Sequence, residues 1–156
     1  MKRVDAENAA PPETLPLVLY VEDEPDNWEV TELRLRRRYR LLWARTDVEA
    51  CALARQYGPS LHAVLMDVQL KGSALDGLAL TRLFRGKLAT PPAVAEGVPT
   101  LECPIFFVTA YGNLHSAAEF DEAGGDAHVP KPVDFFKLNN LLARENARRA
   151  MASLKR

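Results

Sequence analysis

Cysteine is nearly missing from this chain: 156 residues hold only Cys51 and Cys103. Two cysteines so far apart form neither a disulfide framework nor a metal-ligand spacing, and both read as reduced packing residues of a cytosolic protein. A charge imbalance is missing too. Lys and Arg total 20 against 21 Asp and Glu, a formal net charge of −1, so no global field recruits nucleic acid or an anionic membrane. The chain also lacks a long apolar run. The stretch 17–21 is uncharged and apolar, but a bilayer span needs roughly 18–20 such residues. The opening MKRVDAENAAPPETLP has no apolar segment and carries Asp5, Glu7 and Glu13, unlike a secretory signal. The expectation is a cytoplasmic protein with no membrane insertion and no direct contact with nucleic acid.

What is present is ordinary for one globular domain. Hydrophobic residues make up 47% and charged residues 26%, enough apolar material for a core without staples. Residues 1–16 read as a disordered extension. Apolar runs at 17–21, 63–66 and 104–108 resemble buried parallel strands, covered on both faces. Shorter strand candidates lie at 41–44 and 127–129. Between them fall helical patterns: one capped by Asp26 and running to about residue 39, one capped by Asp47 and stopped by Gly58-Pro59. Further helices are expected at 78–85, at 114–123 before Gly124-Gly125, and from a cap at Asp134 to about residue 152. Residues 87–103 hold three prolines and no periodicity and read as a long loop. Strands alternating with helices indicate an α/β domain with a parallel sheet.

The polar residues that interrupt this pattern share one location. Glu22 and Asp23 follow the first strand, Asp67 the third, Thr109 the fourth and Lys131 the fifth. In an open parallel sheet the carboxyl ends of the strands border the ligand crevice. Any one of these residues alone is explained by loops being polar; five of complementary chemistry at four strand ends are not. Crowded carboxylates either raise a pKa or bind a cation, and Mg²⁺ suits a few carboxylates plus a phosphate. An aspartate can act as a nucleophile toward phosphorus, with positive charge and donors around the transferring oxygens. The set reads as a phosphoryl-accepting site.

With these residues in place, the chain resembles the receiver domain of two-component response regulators, of the stand-alone chemotaxis-receiver type. The matching stretches are LVLYVEDE (17–24), AVLMDVQL (63–70), LDGLAL (75–80), PIFFVTAYG (104–112) and GGDAHVPKP (124–132). Their order is the family's, and they place the receiver at 17–143. The resemblance implies a doubly wound, flavodoxin-like five-stranded parallel sheet of order 2-1-3-4-5. It implies Asp67 as phosphoacceptor, with Glu22, Asp23, Asp67 and the Gln69 main-chain carbonyl around Mg²⁺ or Mn²⁺. It makes Thr109 the switch hydroxyl and Lys131 the phosphate-binding lysine, with a cis Lys131–Pro132 bond. Gln69 and Tyr111 flank the route of attacking water in this family.

Several features depart from the family pattern. The loop after Asp67 reads VQLKGSALDG, longer than the common form and without its proline. The 87–103 loop is longer still; either insertion reads as tolerated surface length or as a docking feature. His128 stands where an aromatic usually turns inward on phosphorylation. An imidazole there could rotate similarly or respond to pH, and the plainer reading is a partly exposed histidine. Arg34, Arg36, Arg37, Arg38 and Arg40 cluster near the end of the first helix. Arg144, Arg148, Arg149, Lys155 and Arg156 make the 144–156 end basic. Both clusters read as solvated ends that complement a helix dipole; a surface for an acidic kinase or target is the sharper reading. His62 and His115 receive no assignment.

The resulting expectation is a single-domain response regulator. It would take a phosphoryl group from a histidine kinase or phosphotransfer protein and signal to a downstream target protein. It would not be an enzyme beyond its own phosphorylation and dephosphorylation. No DNA-binding output is expected in the few residues after Pro132. The alternative is a receiver-like scaffold that binds partners without phosphorylation. A phosphatase or nucleotide-binding enzyme fares worse, since no G-x-x-x-x-G-K-[ST] loop or G-x-G-x-x-G turn is present.

Overall fold

The first apolar run forms strand β1 (Leu17–Val21), buried at every position. Its side chains feed two cores. Leu17, Leu19 and Val21 face one cluster, while Val18 and Tyr20 face the other. That two-sided burial is why the strand reads as unbroken apolar sequence. The computed structural model describes residues 14–110 and 115–154; of the expected extension over 1–16, residues 1–13 lie outside them, as do Tyr111, Lys155 and Arg156, while the Pro16 carbonyl accepts from the Arg40 N–H.

Helix α1 (Pro25–Leu35) follows, then β2 (Arg40–Ala44), α2 (Asp47–Tyr57), β3 (Leu61–Met66), α3 (Gly77–Phe84), β4 (Ile105–Ala110), α4 (Ala117–Ala123), β5 (Ala127–Lys131) and α5 (Phe135–Leu154). The sheet order is β2-β1-β3-β4-β5, and every neighbouring pair is parallel. This is the expected doubly wound fold. Helices α2, α3 and α4 cover one face through Cys51, Leu80, Phe84 and Phe120. Helices α1 and α5 cover the other through Leu35, Leu138 and Leu142. The chain winds away in opposite directions from β1 and β3, so a crevice opens at their carboxyl ends. Both cysteines are buried and free; burial pushes the Cys103 thiol up to about 11, which keeps it inert.

Some boundaries differ from the sequence expectation for local reasons. Helix α1 begins at Pro25, with Glu24 rather than Asp26 at the N-cap. A proline at the first helical position has φ already set and loses no needed N–H. The helix stops at Leu35 instead of residue 39, and Tyr39 is buried beyond a turn. Thr46, not Asp47, caps α2, its hydroxyl accepting from the Glu49 N–H. Asp134 does cap α5, accepting from the Lys137 N–H at 3.1 Å.

The 87–103 segment is more ordered than a bare loop. It contains a 3₁₀ turn over Ala93–Ala95 and buries Ala95, Leu101 and Cys103. Two arginines hold it. Arg55 donates to the Val94 and Glu96 carbonyls. Arg85 donates to the carbonyls of Leu101 and Gly124 and to the Asp126 carboxylate.

The basic end of α5 is also partly structural. Arg149 donates to the Leu61 and His62 carbonyls, and both Arg148 and Arg149 bind the buried Glu145. Arg149 departs from the solvated-end expectation, whereas Arg148 remains exposed. His62 is buried, and its ring nitrogen Nε2 lies 3.5 Å from the Leu142 carbonyl. His115 pairs with Glu119.

Candidate functional site

β1, β3, β4 and β5 end side by side, and each delivers a polar group to the crevice. Glu22 and Asp23 leave β1, Asp67 leaves β3, and Lys131 closes β5. Glu22 is fully buried and Asp67 nearly so. One carboxylate oxygen from each of Glu22, Asp23 and Asp67 lies within 4.8 Å of the others. Lys131 bridges two of these acids: its Nζ is 2.6 Å from Glu22 Oε1 and 3.2 Å from Asp67 Oδ2.

The electrostatics follow from that crowding. Burial holds the Glu22 carboxyl above the usual range, and the neighbouring Asp67 pushes the same way, with Lys131 opposing both. For Lys131, burial works against the charge, but the hydrogen bonds and charges of Glu22 and Asp67 prevail and hold its pKa above the ordinary value. The lysine is therefore an ammonium.

A hard divalent cation fits these residues on two observations. Three carboxylate oxygens converge, and Glu22 Oε2 is buried without a hydrogen-bond partner. A buried, unpaired carboxylate oxygen is costly unless a cation or donor takes it, and carboxylates are the ligands that Mg²⁺ or Mn²⁺ prefers.

Other residues shape the site from behind. Trp43 Nε1–H donates to the Glu22 main-chain carbonyl at 2.7 Å, and its ring stacks on Trp28. The Tyr20 hydroxyl donates to Glu22 Oε1 at 3.4 Å. Burial, then the Glu22 charge, lifts the Tyr20 pKa far above its usual value, so the phenol stays a neutral donor. Gly77 packs on the Asp67 main chain so closely that any Cβ would overlap the Asp67 carbonyl oxygen. None of these four was singled out for such a role from sequence. Tyr20 and Gly77 left a trace there, inside the LVLYVEDE and LDGLAL stretches.

Thr109 is fully buried at the end of β4. Its hydroxyl is engaged by His128, with Oγ1 and Nε2 2.6 Å apart. The imidazole stacks on Phe120 at 5.1 Å between centroids. His128 is partly exposed, as the plainer reading expects, and the structure adds its bond to the Thr109 hydroxyl. Gln69 is exposed on the loop after Asp67. The Lys131–Pro132 bond is cis.

The family model described as response regulator receiver domain matches residues 18–143. Protein PetR of Rhodobacter capsulatus is 31% identical over 140 residues, covering 90% of this chain and 49% of PetR. The chain thus spans about half the length of that relative. Among solved structures, a putative response regulator from Chloroflexus aurantiacus is 27% identical at a TM-score of 0.60, covering 83% of this chain and 99% of that one. The receiver domain of the sensor histidine kinase PA1611 from Pseudomonas aeruginosa is 28% identical at a TM-score of 0.64. That likeness covers 84% of this chain and 97% of that one, and that structure has a magnesium ion coordinated in its active-site cleft. Among the described residues, no helix is long and apolar enough to cross a membrane.

Proposed function

The chain belongs to the response regulator receiver family, and from that premise we propose that it accepts a phosphoryl group on Asp67 and signals by the resulting change of surface. The donor is a phosphohistidine on a histidine kinase or phosphotransfer protein. An Asp67 oxygen attacks phosphorus while the P–N bond of the donor breaks, its electron pair returning to the histidine nitrogen. The product is an acyl phosphate on Asp67.

The observation that carries this reading is the Lys131 ammonium lying between Glu22 and Asp67. Burying charges costs several kcal/mol per ion, so an ammonium and two carboxylates enclosed together point to a task beyond structure. Set beside the phosphoacceptor, Lys131 holds Asp67 in place and meets the oxygens of the incoming group. Glu22, Asp23 and Asp67 would hold Mg²⁺ or Mn²⁺, with the Gln69 main-chain carbonyl as a further contact; the cation supplies neutralisation for the transferring group. Thr109 would leave His128 to donate its hydroxyl proton to a phosphoryl oxygen. That exchange, at β4 and β5, would reach a downstream partner protein through the adjoining helices.

On this reading the protein turns over no external substrate, and its working place is the cytoplasm. Incubation with acetyl phosphate and Mg²⁺ should give an acid-labile phosphoryl signal that Asp67→Asn abolishes. A wild-type protein that takes no label would overturn the proposal in favour of an unphosphorylated scaffold.

A further inference from the structure

The loop between β3 and α3 is strapped across the site at two points. Near its middle, the Lys71 main-chain N–H donates to Asp23 Oδ2 at 3.2 Å, while the Lys71 ammonium reaches Glu24. Further on, the loop is pinned to the start of α2. The buried Asp47 accepts from the Ala74 and Leu75 N–H groups through Oδ2, at 3.0 Å each. Its own N–H donates to the Ser73 hydroxyl at 2.9 Å, and its second oxygen takes the Val48 N–H.

These contacts differ in weight. Lys71 and Glu24 have side chains 84% and 51% exposed, and such a surface pair contributes little. Asp47 is a buried carboxylate with three main-chain donors around it. Charge-assisted bonds of this kind are the strong ones, and withdrawing the carboxylate would strand the N–H groups it serves. The strap therefore hangs on Asp47, and what it delivers is one N–H at Asp23. Asp23 itself is only half-buried at the β1–α1 junction, where nothing in the strand ladder fixes its side chain.

We propose that Asp47 is a positioning residue for the metal-binding acids. By pinning Ser73, Ala74 and Leu75 it keeps the Lys71 N–H on Asp23 Oδ2, and so holds the Asp23 carboxylate beside Glu22 and Asp67. The longer loop after Asp67 and the aspartate at position 47 are then one device, the carboxylate supplying the anchorage that the extra length requires. This rests on the receiver reading of the site, because it concerns how that site takes its cation.

The test titrates Mg²⁺ into the 156-residue chain, read by tryptophan fluorescence, since Trp43 bonds the Glu22 carbonyl. The gain in melting temperature at saturating Mg²⁺ is measured alongside. Asp47→Asn should weaken Mg²⁺ binding about tenfold, the low end for a residue supporting a metal ligand, and shrink the Mg²⁺-dependent gain in melting temperature. A purely structural role would lower the melting temperature of both forms and leave that gain intact. Lys71→Pro removes the N–H at Asp23 without touching α2 and should match Asp47→Asn; it decides the matter where Asp47→Asn does not fold. Affinity within about twofold of wild type in the folded variants would overturn the proposal while leaving the site standing. A wild-type protein with no response at millimolar Mg²⁺ would overturn both.

Discussion

The Thr109 hydroxyl oxygen and His128 Nε2 lie 2.6 Å apart, bonding the buried end of β4 to the start of β5. The hydroxyl is fully buried, and the ring that serves it is held by Phe120 of α4. On the far side Lys137 of α5 donates to the His128 carbonyl. A phenylalanine here could stack in the same way, but it could not satisfy the threonine. On the proposed function the Thr109 hydroxyl is therefore already occupied by His128, and a phosphoryl group on Asp67 would have to draw it off the imidazole.

This bond should be measurable as a coupling. His128→Phe leaves the Thr109 hydroxyl buried without that partner, at a cost of about 1–3 kcal/mol. Thr109→Val removes the hydroxyl itself. In urea unfolding the double variant should be less destabilised than the sum of the two single variants by about 1 kcal/mol. Strict additivity would mean that the contact contributes nothing.

The same histidine gives stability a pH dependence. Burial, and secondarily the Lys137 charge, hold the His128 pKa below its ordinary value; burial does the same for His62. The unfolded chain binds these protons more readily than the fold does. Their contribution is therefore complete above the unfolded value of about 6.5 and is lost as pH falls through the lowered folded values. Unfolding free energy should decline on acidification below about pH 6.5, and His128→Phe should flatten part of that decline, leaving the share of His62.

Gly77 offers a sharper stability test, because the start of α3 lies directly on the main chain of Asp67. Its N–H donates to the Val68 carbonyl at 2.7 Å, and a Cβ would overlap the Asp67 carbonyl oxygen. Gly77→Ala must displace either the helix or the Asp67 main chain. The expected loss is about 3 kcal/mol, the upper end of overpacking costs, with phosphorylation by acetyl phosphate falling in the protein that still folds. Gly72, with a positive φ and open space around its Cα, should tolerate alanine at the smaller cost of left-handed strain.

The legible part of this molecule was whatever interrupts an apolar run. β1, β3 and β4 are covered on both faces, so they appear as unbroken hydrophobic sequence. Glu22, Asp67 and Thr109 then stand out where those runs stop. Lys131 stands out equally, at the end of the short β5. What could not be read were side chains that serve distant main-chain groups. Asp47 has the local appearance of a helix cap, yet its Oδ2 serves the N–H groups of residues 74 and 75. The 87–103 segment has no periodicity because its order comes from Arg55 and Arg85 gripping its carbonyls. Such bonds fix single residues and impose no repeat, so no period search finds them.

Arg149 belongs to the same hidden class and separates itself from its neighbours by experiment. By sequence it is one of several basic residues on the last helix, interchangeable with Arg144. In the fold it donates to two carbonyls at the start of β3, Leu61 and His62, and its Nε lies 2.9 Å from the buried Glu145. Arg144 is exposed. Arg149→Ala removes donors from two main-chain carbonyls and leaves Glu145 to Arg148, whose side chain is 61% exposed. Hydrogen bonds to charged groups contribute about 1.5–3 kcal/mol when buried; with Arg149 itself 38% exposed, solvent screening brings the expected loss down to about 1 kcal/mol. Arg144→Ala should stay within about 0.5 kcal/mol of wild type, as surface substitutions do. Urea unfolding of the two variants checks the distinction, and equal effects would return Arg149 to the solvated face.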